Sequence, residues 1–441
     1  MSDNLTNTYS TILANLGISS FNPMQEQTIR SAAKAANVIL LSPTGSGKTL
    51  AFLVSIFSRL DSEKKGIQAL IVAPSRELAI QIEQVFRAMK TPFKVSCIYG
   101  GHSVKIEQNT LEEAPAVLIA TPGRLADHIT RGTLELNGVH TVVLDEFDKS
   151  LQMGYHRQLE LIFARLSGEQ RHLLTSATSL EELPAFLPFR QAETVNFLQE
   201  APELKLTIKL VEAESSEKVE ALLRLVATFG QESCLVFCNH KEAVERVSTA
   251  FRNYQFEHGV FHGDLEQIER EKSLIKFRAG AHTVLIATDL AARGLDIPAV
   301  RHVVHYQLPI HEDAFIHRNG RTARMHADGT VYLVKATDEQ LPVYLAGQPE
   351  LLQLPESFQL PAAAEFVCLY ISAGKKEKIS KGDIVGLLTQ KGGLQSSDIG
   401  LISLLDHTSY VAVRRALAPK TLAALSGEKL KKQKVKIAIA S

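Results

Sequence analysis

Ser42-Pro43-Thr44-Gly45-Ser46-Gly47-Lys48-Thr49 is the stretch on which the reading of this chain turns. An apolar run, Val38-Ile39-Leu40-Leu41, leads into it, and an amphipathic run over residues 50–60 leads out. Strand, glycine-rich turn and helix in that order form a phosphate-binding loop. Gly45 and Gly47 let the backbone turn its N–H groups inward on a polyphosphate, while the following helix presents its positive end. Lys48 is placed to reach the outer phosphates, and the Thr49 hydroxyl to meet a magnesium ion. The strict pattern has glycine at the position of Ser42, so the match is partial. An ordinary Gly/Ser turn is the competing reading, and the Lys-Thr pair at the right offset weighs against it.

Further along, Thr141-Val-Val-Leu-Asp145-Glu146 delivers two carboxylates from the end of an apolar strand, where open α/β sheets bind their ligands. Asp145 suits magnesium, and Glu146 can orient or deprotonate a water that attacks a γ-phosphate. Two acids after a strand would also open a solvated helix; the phosphate loop favours the catalytic reading. A third component is His317-Arg-Asn-Gly-Arg321-Thr-Ala-Arg324. Arg321 and Arg324, three apart, share one face of a helical turn. Their forked guanidiniums match the charge that spreads over a transferring phosphoryl group. A surface salt-bridge patch is the alternative. The second half has no phosphate loop of its own, so its arginines gain a purpose if two halves close over one nucleotide.

At 441 residues the chain has room for about two to four domains. Apolar runs alternate with helical patterns through the first two thirds, which predicts parallel α/β sheets. Strands are expected over 38–41, 69–73, 95–99, 116–120, 141–144 and 172–175, then over 234–237, 259–261, 283–287, 302–305 and 329–334. Gln199-Glu-Ala-Pro-Glu203 separates two sets whose shared rhythm suggests a distant repeat. Pro342, Pro349, Pro355 and Pro361 punctuate a predicted linker. The rest reads as strand 366–371, helix 382–389, strands 399–405 and 410–413, helix 419–425 and strand 435–440, a small α+β unit.

The net charge is zero but unevenly spread: residues 362–441 hold 13 Lys/Arg against 6 Asp/Glu. A basic module on a mildly acidic body points to a polyanionic partner, although a solvated lysine-rich terminus has the same composition. No apolar run approaches the ~18 residues of a membrane span, and Met1-Ser-Asp-Asn does not open a secretory signal. A cytoplasmic protein with no membrane partner is expected. Cys97, Cys234, Cys238 and Cys368 are too scattered for a disulfide framework, and no second pair joins Cys234 and Cys238 in a zinc site. They read as buried thiols. His302 and His305 would face opposite sides of a strand and read as structural.

In their order these motifs resemble the DEAD-box ATP-dependent RNA helicases, over about residues 9–336. Gly17-Ile-Ser-Ser-Phe-Asn-Pro-Met-Gln25 is similar to the family's Q motif, which implies that Gln25 reads the adenine edge, with Tyr9 as a candidate for stacking. The naming box stands as Asp145-Glu146-Phe147-Asp148, with phenylalanine in place of alanine. Phe147 is expected to pack near Ser176-Ala177-Thr178, which resembles the motif coupling nucleotide state to closure through Ser176 and Thr178. Leu235-Val-Phe-Cys-Asn239, His262-Gly-Asp-Leu-Glu-Gln267-Ile-Glu-Arg270 and Ala287-Thr-Asp-Leu-Ala-Ala-Arg-Gly-Leu-Asp296 match the second half. The resemblance assigns Asp296 to ribose, Arg321 and Arg324 to arginine fingers, and ATP with Mg2+ as cofactors.

RNA contact is implied for Arg76 in Pro74-Ser-Arg76-Glu77-Leu-Ala79, for Gly100-Gly101, for Thr121-Pro-Gly123-Arg124, and for Thr288 and Arg293. Alone, a Gly-Gly turn and a surface arginine are ordinary; their order between the phosphate loop and Asp145 supports the RNA reading. Contacts to phosphates and 2′-hydroxyls select RNA over DNA without selecting a sequence.

In the tail, Leu369-Tyr-Ile-Ser-Ala-Gly-Lys375-Lys376-Glu-Lys378-Ile-Ser-Lys381-Gly-Asp-Ile-Val-Gly-Leu-Leu and Asp398-Ile-Gly-Leu-Ile look like the RNA-binding domain of the DbpA-like subfamily. That implies an RRM-like fold and large-subunit ribosomal RNA as partner during ribosome assembly. Lys375, Lys376, Lys378 and Tyr410, the one clear aromatic retained, are the expected contacts. A degenerate module that binds protein is the alternative. The expected architecture is two tandem RecA-like parallel-sheet domains, 1–203 and 204–346, a linker over 347–361 and a small α+β RRM-like domain over 362–441. The expected function is that of a monomeric RNA-dependent ATPase and helicase that closes on ATP and RNA and melts a short duplex. A nucleotide-gated RNA clamp or assembly scaffold with little turnover is the alternative, and a DNA-translocating helicase a weaker one.

Overall fold

A computed structural model of the chain describes residues 9–101, 107–108, 111–179, 182–189, 191–198, 206–289, 300–322, 329–345, 349–431 and 433–440. Arg293, Asp296, Arg324 and the connection 199–203 lie outside the described residues. The described residues fall into two compact units, within 1–203 and within 204–441.

The first unit runs α1 (Ser10–Leu16), α2 (Pro23–Lys34), β1 (Asn37–Leu41), α3 (Lys48–Phe57), β2 (Ala69–Val72), α4 (Arg76–Ala88), β3 (Val95–Ile98) and β4 (Val117–Ala120). It continues with α5 (Pro122–Thr130), β5 (Thr141–Leu144), α6 (Phe147–Gln152), α7 (His156–Ala164), β6 (Arg171–Ser176) and β7 (Glu193–Asn196). The seven strands are all parallel, in the order β3-β4-β2-β5-β6-β1-β7. β2, β4 and β5 are buried at every position, as strands with helices on both faces must be. Ile71, Ile119 and Val143 enter a core with Phe52 and Phe86; Leu70, Leu118 and Leu144 enter a second core with Phe147. The period of two sorts them to the two faces.

The second unit opens with β8 (Leu206–Ala213), α8 (Lys218–Ala227), β9 (Cys234–Phe237), α9 (Lys241–Asn253), β10 (Gly259–Phe261) and α10 (Gln267–Arg278). β11 (Val284–Ala287), β12 (His302–His305), α11 (Glu312–Asn319), β13 (Gly329–Ala336) and β14 (Glu350–Leu351) complete its parallel sheet, in the order β10-β11-β9-β12-β13-β8-β14. Adding seven to each strand number of the first sheet reproduces this order, so the shared rhythm is a shared topology. β7, β8 and β14 escape the pattern of apolar runs. β7 is an edge strand with Val195 as its one buried residue, β8 intersperses Lys209 and Glu212, and β14 is two exposed residues. β14 lies in the stretch read as a linker. It pairs with β8, and Leu352, Leu354 and Phe358 after it pack on this unit's own core, which holds Val211, Val236 and Phe251.

The last elements are β15 (Phe366–Ile371), α12 (Lys381–Gln390), β16 (Ile399–Leu404), β17 (Ser409–Arg414), α13 (Ala418–Ala424), a small hairpin of β18 (Lys429–Leu430) and β19 (Gln433–Lys434), and β20 (Ile437–Ile439). They form an antiparallel sheet, β16-β17-β15-β20. Val367, Leu369 and Ile371 face a core with Ile384 and Leu388 of α12. Cys368 and Tyr370 alternate to the other face, where Cys368, Tyr410 and Ala440 pack on Ile275 of α10 and on Ala281. Tyr410 is therefore 5% exposed. This corrects its expected role: its ring is an apolar contact within the unit, not a platform offered to a base.

Candidate active site and RNA-facing loops

The strand order sorts the chemistry. β5, β6 and β1 are neighbours, so Asp145-Glu146, Ser176-Ala177-Thr178 and the phosphate loop leave the sheet side by side at its C-terminal edge. β3, β4 and β2 are also neighbours, and they release Gly100-Gly101, Thr121-Pro-Gly123-Arg124 and Arg76.

In the phosphate loop, Gly47 caps α3 at φ +91°, a conformation that costs a side-chain-bearing residue dearly. A Cβ there would also stand 2.5 Å from Nε2 of Gln25. That amide instead donates to the Gly47 carbonyl at 3.1 Å, while its oxygen accepts from the Asn22 N–H at 3.0 Å. Asn22 Nδ2 donates to the Ser46 carbonyl at 2.9 Å. The start of α2 is thus tied to the loop, a use of Gln25 additional to the adenine contact expected of it. Lys48 is buried and donates to the carbonyls of Ser42 and Pro43, at 2.6 and 2.9 Å. Burial lowers its pKa, opposed by the carboxylates of Glu146 and Asp145. Tyr9 packs edge-on against Phe21 and Phe57.

Asp145 and Glu146 are 3% and 5% exposed. Burial and the neighbouring Glu146 push Asp145 up to about 6, against a hydrogen bond from Thr175. Thr175 is one residue that sequence reasoning missed. Its hydroxyl donates to Asp145 Oδ1 at 2.5 Å and accepts the backbone N–H of Glu146 at 3.0 Å. Glu146 holds a left-handed backbone, φ 48° and ψ 51°, and Lys149 Nζ stands 2.5 Å from its Oε2. Ser176 Oγ accepts from the Thr178 N–H at 3.1 Å, and Thr178 Oγ1 donates to Asp148 Oδ2 at 3.1 Å, which links the strand-end motif to the acidic box. Phe147 is wholly buried among Leu70, Leu118, Leu144 and Leu174, so its ring belongs to the core.

At the other half of the edge, Arg76 lies over Gly100 and Gly101. A Cβ on Gly101, at φ +108°, would come within 2.6 Å of its Nη1. Thr121 caps α5, with Pro122 and Gly123 in its first turn.

In the second unit Arg318 is fully buried. Its Nε donates to Asp289 at 2.5 Å, Nη1 to the Gln307 carbonyl at 2.8 Å and Nη2 to Asn239 Oδ1 at 2.7 Å. It joins the ends of β9, β11 and β12, a structural hub inside the arginine-rich motif that its neighbours Arg321 and Arg324 obscured. Arg321, just beyond α11, is also buried. Thr288 follows β11, its N–H donating to the Phe261 carbonyl at 3.1 Å. His302 stacks on Phe229 and meets Glu232 at 2.6 Å; His305 meets Asn319 at 2.8 Å. Burial pushes Cys238 up to about 12 and Cys234 higher still. Among the described residues there is no metal-holding cluster of His, Cys, Asp and Glu, and no helix long and apolar enough to cross a membrane. Lys375, Lys376 and Lys378 are exposed on the loop between β15 and α12.

Residues 22–185 match the DEAD/DEAH box helicase family, 217–326 the helicase conserved C-terminal domain and 368–439 the DbpA RNA binding domain. The chain is 34% identical over 434 residues to the ATP-dependent RNA helicase DbpA of Escherichia coli strain K12, covering 96% of this chain and 94% of that protein. It is 27% identical over 458 residues to the ATP-dependent RNA helicase DbpA of Bacillus subtilis strain 168, covering 96% of each. Among solved structures, S. cerevisiae Dbp5 bound to RNA and ADP BeF3 aligns with a TM-score of 0.66 and 27% identity, over 75% of this chain and 86% of that one. The DEAD-box helicase Mss116 bound to ssRNA and UDP-BeF aligns at 0.68 and 25% identity, over 75% and 73%. With the phosphate loop, acidic box and arginine motif set on twin parallel sheets, the chain belongs to the DEAD-box ATP-dependent RNA helicases, as an RNA-dependent ATPase that carries a DbpA RNA-binding domain.

Proposed function

We propose that this helicase remodels structured ribosomal RNA during assembly of the large ribosomal subunit, as a cytoplasmic monomer. The match of residues 368–439 to the DbpA RNA binding domain and the exposed Lys375, Lys376 and Lys378 support RNA targeting by the C-terminal module.

For hydrolysis, the carrying observation is the buried group of Lys48, Asp145 and Glu146 around Thr175. Residues 42–49 cradle the phosphates of ATP, and Lys48 exchanges the carbonyls of Ser42 and Pro43 for phosphate oxygens. Gln25 reads adenine and Asp296 the ribose. Asp145 and Thr49 offer a carboxylate and a hydroxyl, a hard-oxygen set that would hold Mg2+, and the ion would supply positive charge to offset that developing on the phosphoryl oxygens. Glu146, its carboxylate held beside Lys149, orients the attacking water. Arg321 and Arg324 act as arginine fingers, whose loss in other phosphoryl-transfer enzymes slows the reaction by about 10³–10⁵. Arg76, Gly100, Gly101, Thr121, Gly123, Arg124, Thr288 and Arg293 hold the RNA backbone, while Ser176 and Thr178 relay nucleotide state.

The test is competition binding of a ribosomal RNA fragment against an unrelated RNA of equal length, across a salt series, with full-length protein and a variant in which Lys375, Lys376 and Lys378 are neutralised. The variant should lose preference and show a flatter salt dependence, because fewer counterions are released. Unchanged preference would remove these lysines from targeting. Multiple-turnover ATPase with and without RNA separates a motor from a clamp.

A further inference from the structure

Between β3 and β4 lies a buried carboxylate with no part in the nucleotide site. Glu107 is 6% exposed. One of its oxygens accepts the backbone N–H of Tyr99 at 3.2 Å, immediately before Gly100-Gly101. The other lies 2.5 Å from Arg124 Nε and 2.8 Å from His128 Nε2. His128 is fully buried and meets Thr133 Oγ1 at 2.8 Å through its other nitrogen. Asp127 stands 3.6 Å from Nη1 of the same Arg124. Glu107 therefore touches both the glycine loop that Arg76 covers and the helix start that carries Arg124.

A guanidinium is planar, so fixing Nε fixes the plane in which its other donors lie. A charge-assisted hydrogen bond to a buried carboxylate is about twice as strong as a neutral one. An arginine held in this way meets a phosphate already oriented, whereas a mobile one must be ordered on binding.

We propose that Glu107 is a positioning residue for RNA: it sets the plane of Arg124 and the path of Gly100-Gly101 together, so that two loops present one surface to the phosphodiester backbone. The inference rests on the reading of Arg124 and the glycine pair as RNA contacts. Glu107 itself touches no RNA. Its effect is on how much RNA is needed, not on how fast bound ATP is cleaved.

The experiment measures ATPase activity of the full-length protein against increasing oligouridylate. Glu107→Gln keeps side-chain size and an acceptor for Tyr99 but cannot serve Arg124 as a carboxylate does. The RNA concentration for half-maximal stimulation should rise about tenfold, the effect of one lost charge-assisted hydrogen bond. kcat at saturating RNA and KM for ATP should stay within about twofold. Arg124→Ala should weaken RNA use similarly, and adding Glu107→Gln to it should change nothing more. If Arg124→Ala leaves RNA use unchanged, the RNA reading of Arg124 fails. If Arg124→Ala weakens it while Glu107→Gln does not, or the two effects add, the positioning role is overturned. Should Glu107→Gln not fold, Arg124→Lys decides: it keeps the charge and loses the fork, and a lysine that restores RNA use overturns the proposal.

Discussion

The guanidinium of Arg415 forks onto the carboxylate of Glu257, Nη1 3.0 Å from Oε1 and Nη2 2.6 Å from Oε2. The pair ties the C-terminal module to the α/β fold that carries α10, within one compact unit. The two side chains remain 32% and 45% exposed, and such pairs contribute roughly 0.2–1 kcal/mol. The apolar contact of Ile275 and Ala281 with Cys368, Tyr410 and Ala440 matters more, since burying a side chain the size of isoleucine is worth about 1.5–3 kcal/mol.

Glu257→Ala should accordingly leave the module docked, while Ile275→Asp should release it. Cys368 reports the difference, because it is 1% exposed and burial pushes its thiol up to about 11. In a Cys97→Ser background, thiol labelling of Cys368 should accelerate at least about tenfold in Ile275→Asp and little in Glu257→Ala. Equal labelling in all three proteins would mean that this contact does not shield the thiol.

Lys48→Ala should abolish ATP hydrolysis, because the loop offers no second cation to the outer phosphates. Glu146→Gln should bind ATP normally and hold RNA more tightly, since closure survives while water activation fails. Single-turnover rates beside nucleotide and RNA affinities check both. Near-normal turnover in Glu146→Gln would remove that carboxylate from the reaction.

Thr175→Val preserves shape and removes one hydroxyl. It leaves the Glu146 N–H without its acceptor and Asp145 without its donor, in a buried setting where each unmade bond costs about 1–3 kcal/mol. Lower thermal stability and at least about tenfold slower hydrolysis are expected. Thr175→Ser should restore both, and a Val variant indistinguishable from the parent would refute the bridging role.

Phe147→Ala should act through the core. Removing a fully buried phenylalanine costs about 3–5 kcal/mol, visible as a large drop in melting temperature, while Phe147→Leu should lose much less. RNA stimulation per folded molecule should stay near normal in the Leu variant. A stable Ala variant with altered RNA stimulation would instead return the ring to a coupling role.

Both parallel sheets were legible because Ala69-Leu-Ile-Val72, Val117-Leu-Ile-Ala120 and Cys234-Leu-Val-Phe237 are unbroken apolar runs, the mark of strands covered on both faces. The nucleotide site was legible because a phosphate loop is local, with its loop, lysine and hydroxyl adjacent in the chain. Thr175 and Arg318 were not, because each acts on a partner far away in sequence, Asp145 at a separation of 30 residues and Asn239 at 79; Glu107 was not, because Tyr99, Arg124 and His128, at 8, 17 and 21 residues, meet around it only once β3, β4 and α5 have folded. Tyr410 misled for the same reason: an aromatic on an outward strand face looks free until Ile275 covers it.

The strand order has a further consequence, for how such a machine can change over time. The loops after β3, β4 and β2 meet the polymer in our reading; those after β5, β6 and β1 meet the fuel. Within the sheet the halves meet at one seam, where β2 pairs with β5 and the Asp145 N–H donates to the Val72 carbonyl at 2.9 Å. Insertions on the polymer side can lengthen or reshape the grip without displacing the engine. Exchange of one nucleic-acid client for another is thus open to gradual drift, whereas a change at the seam alters both halves at once.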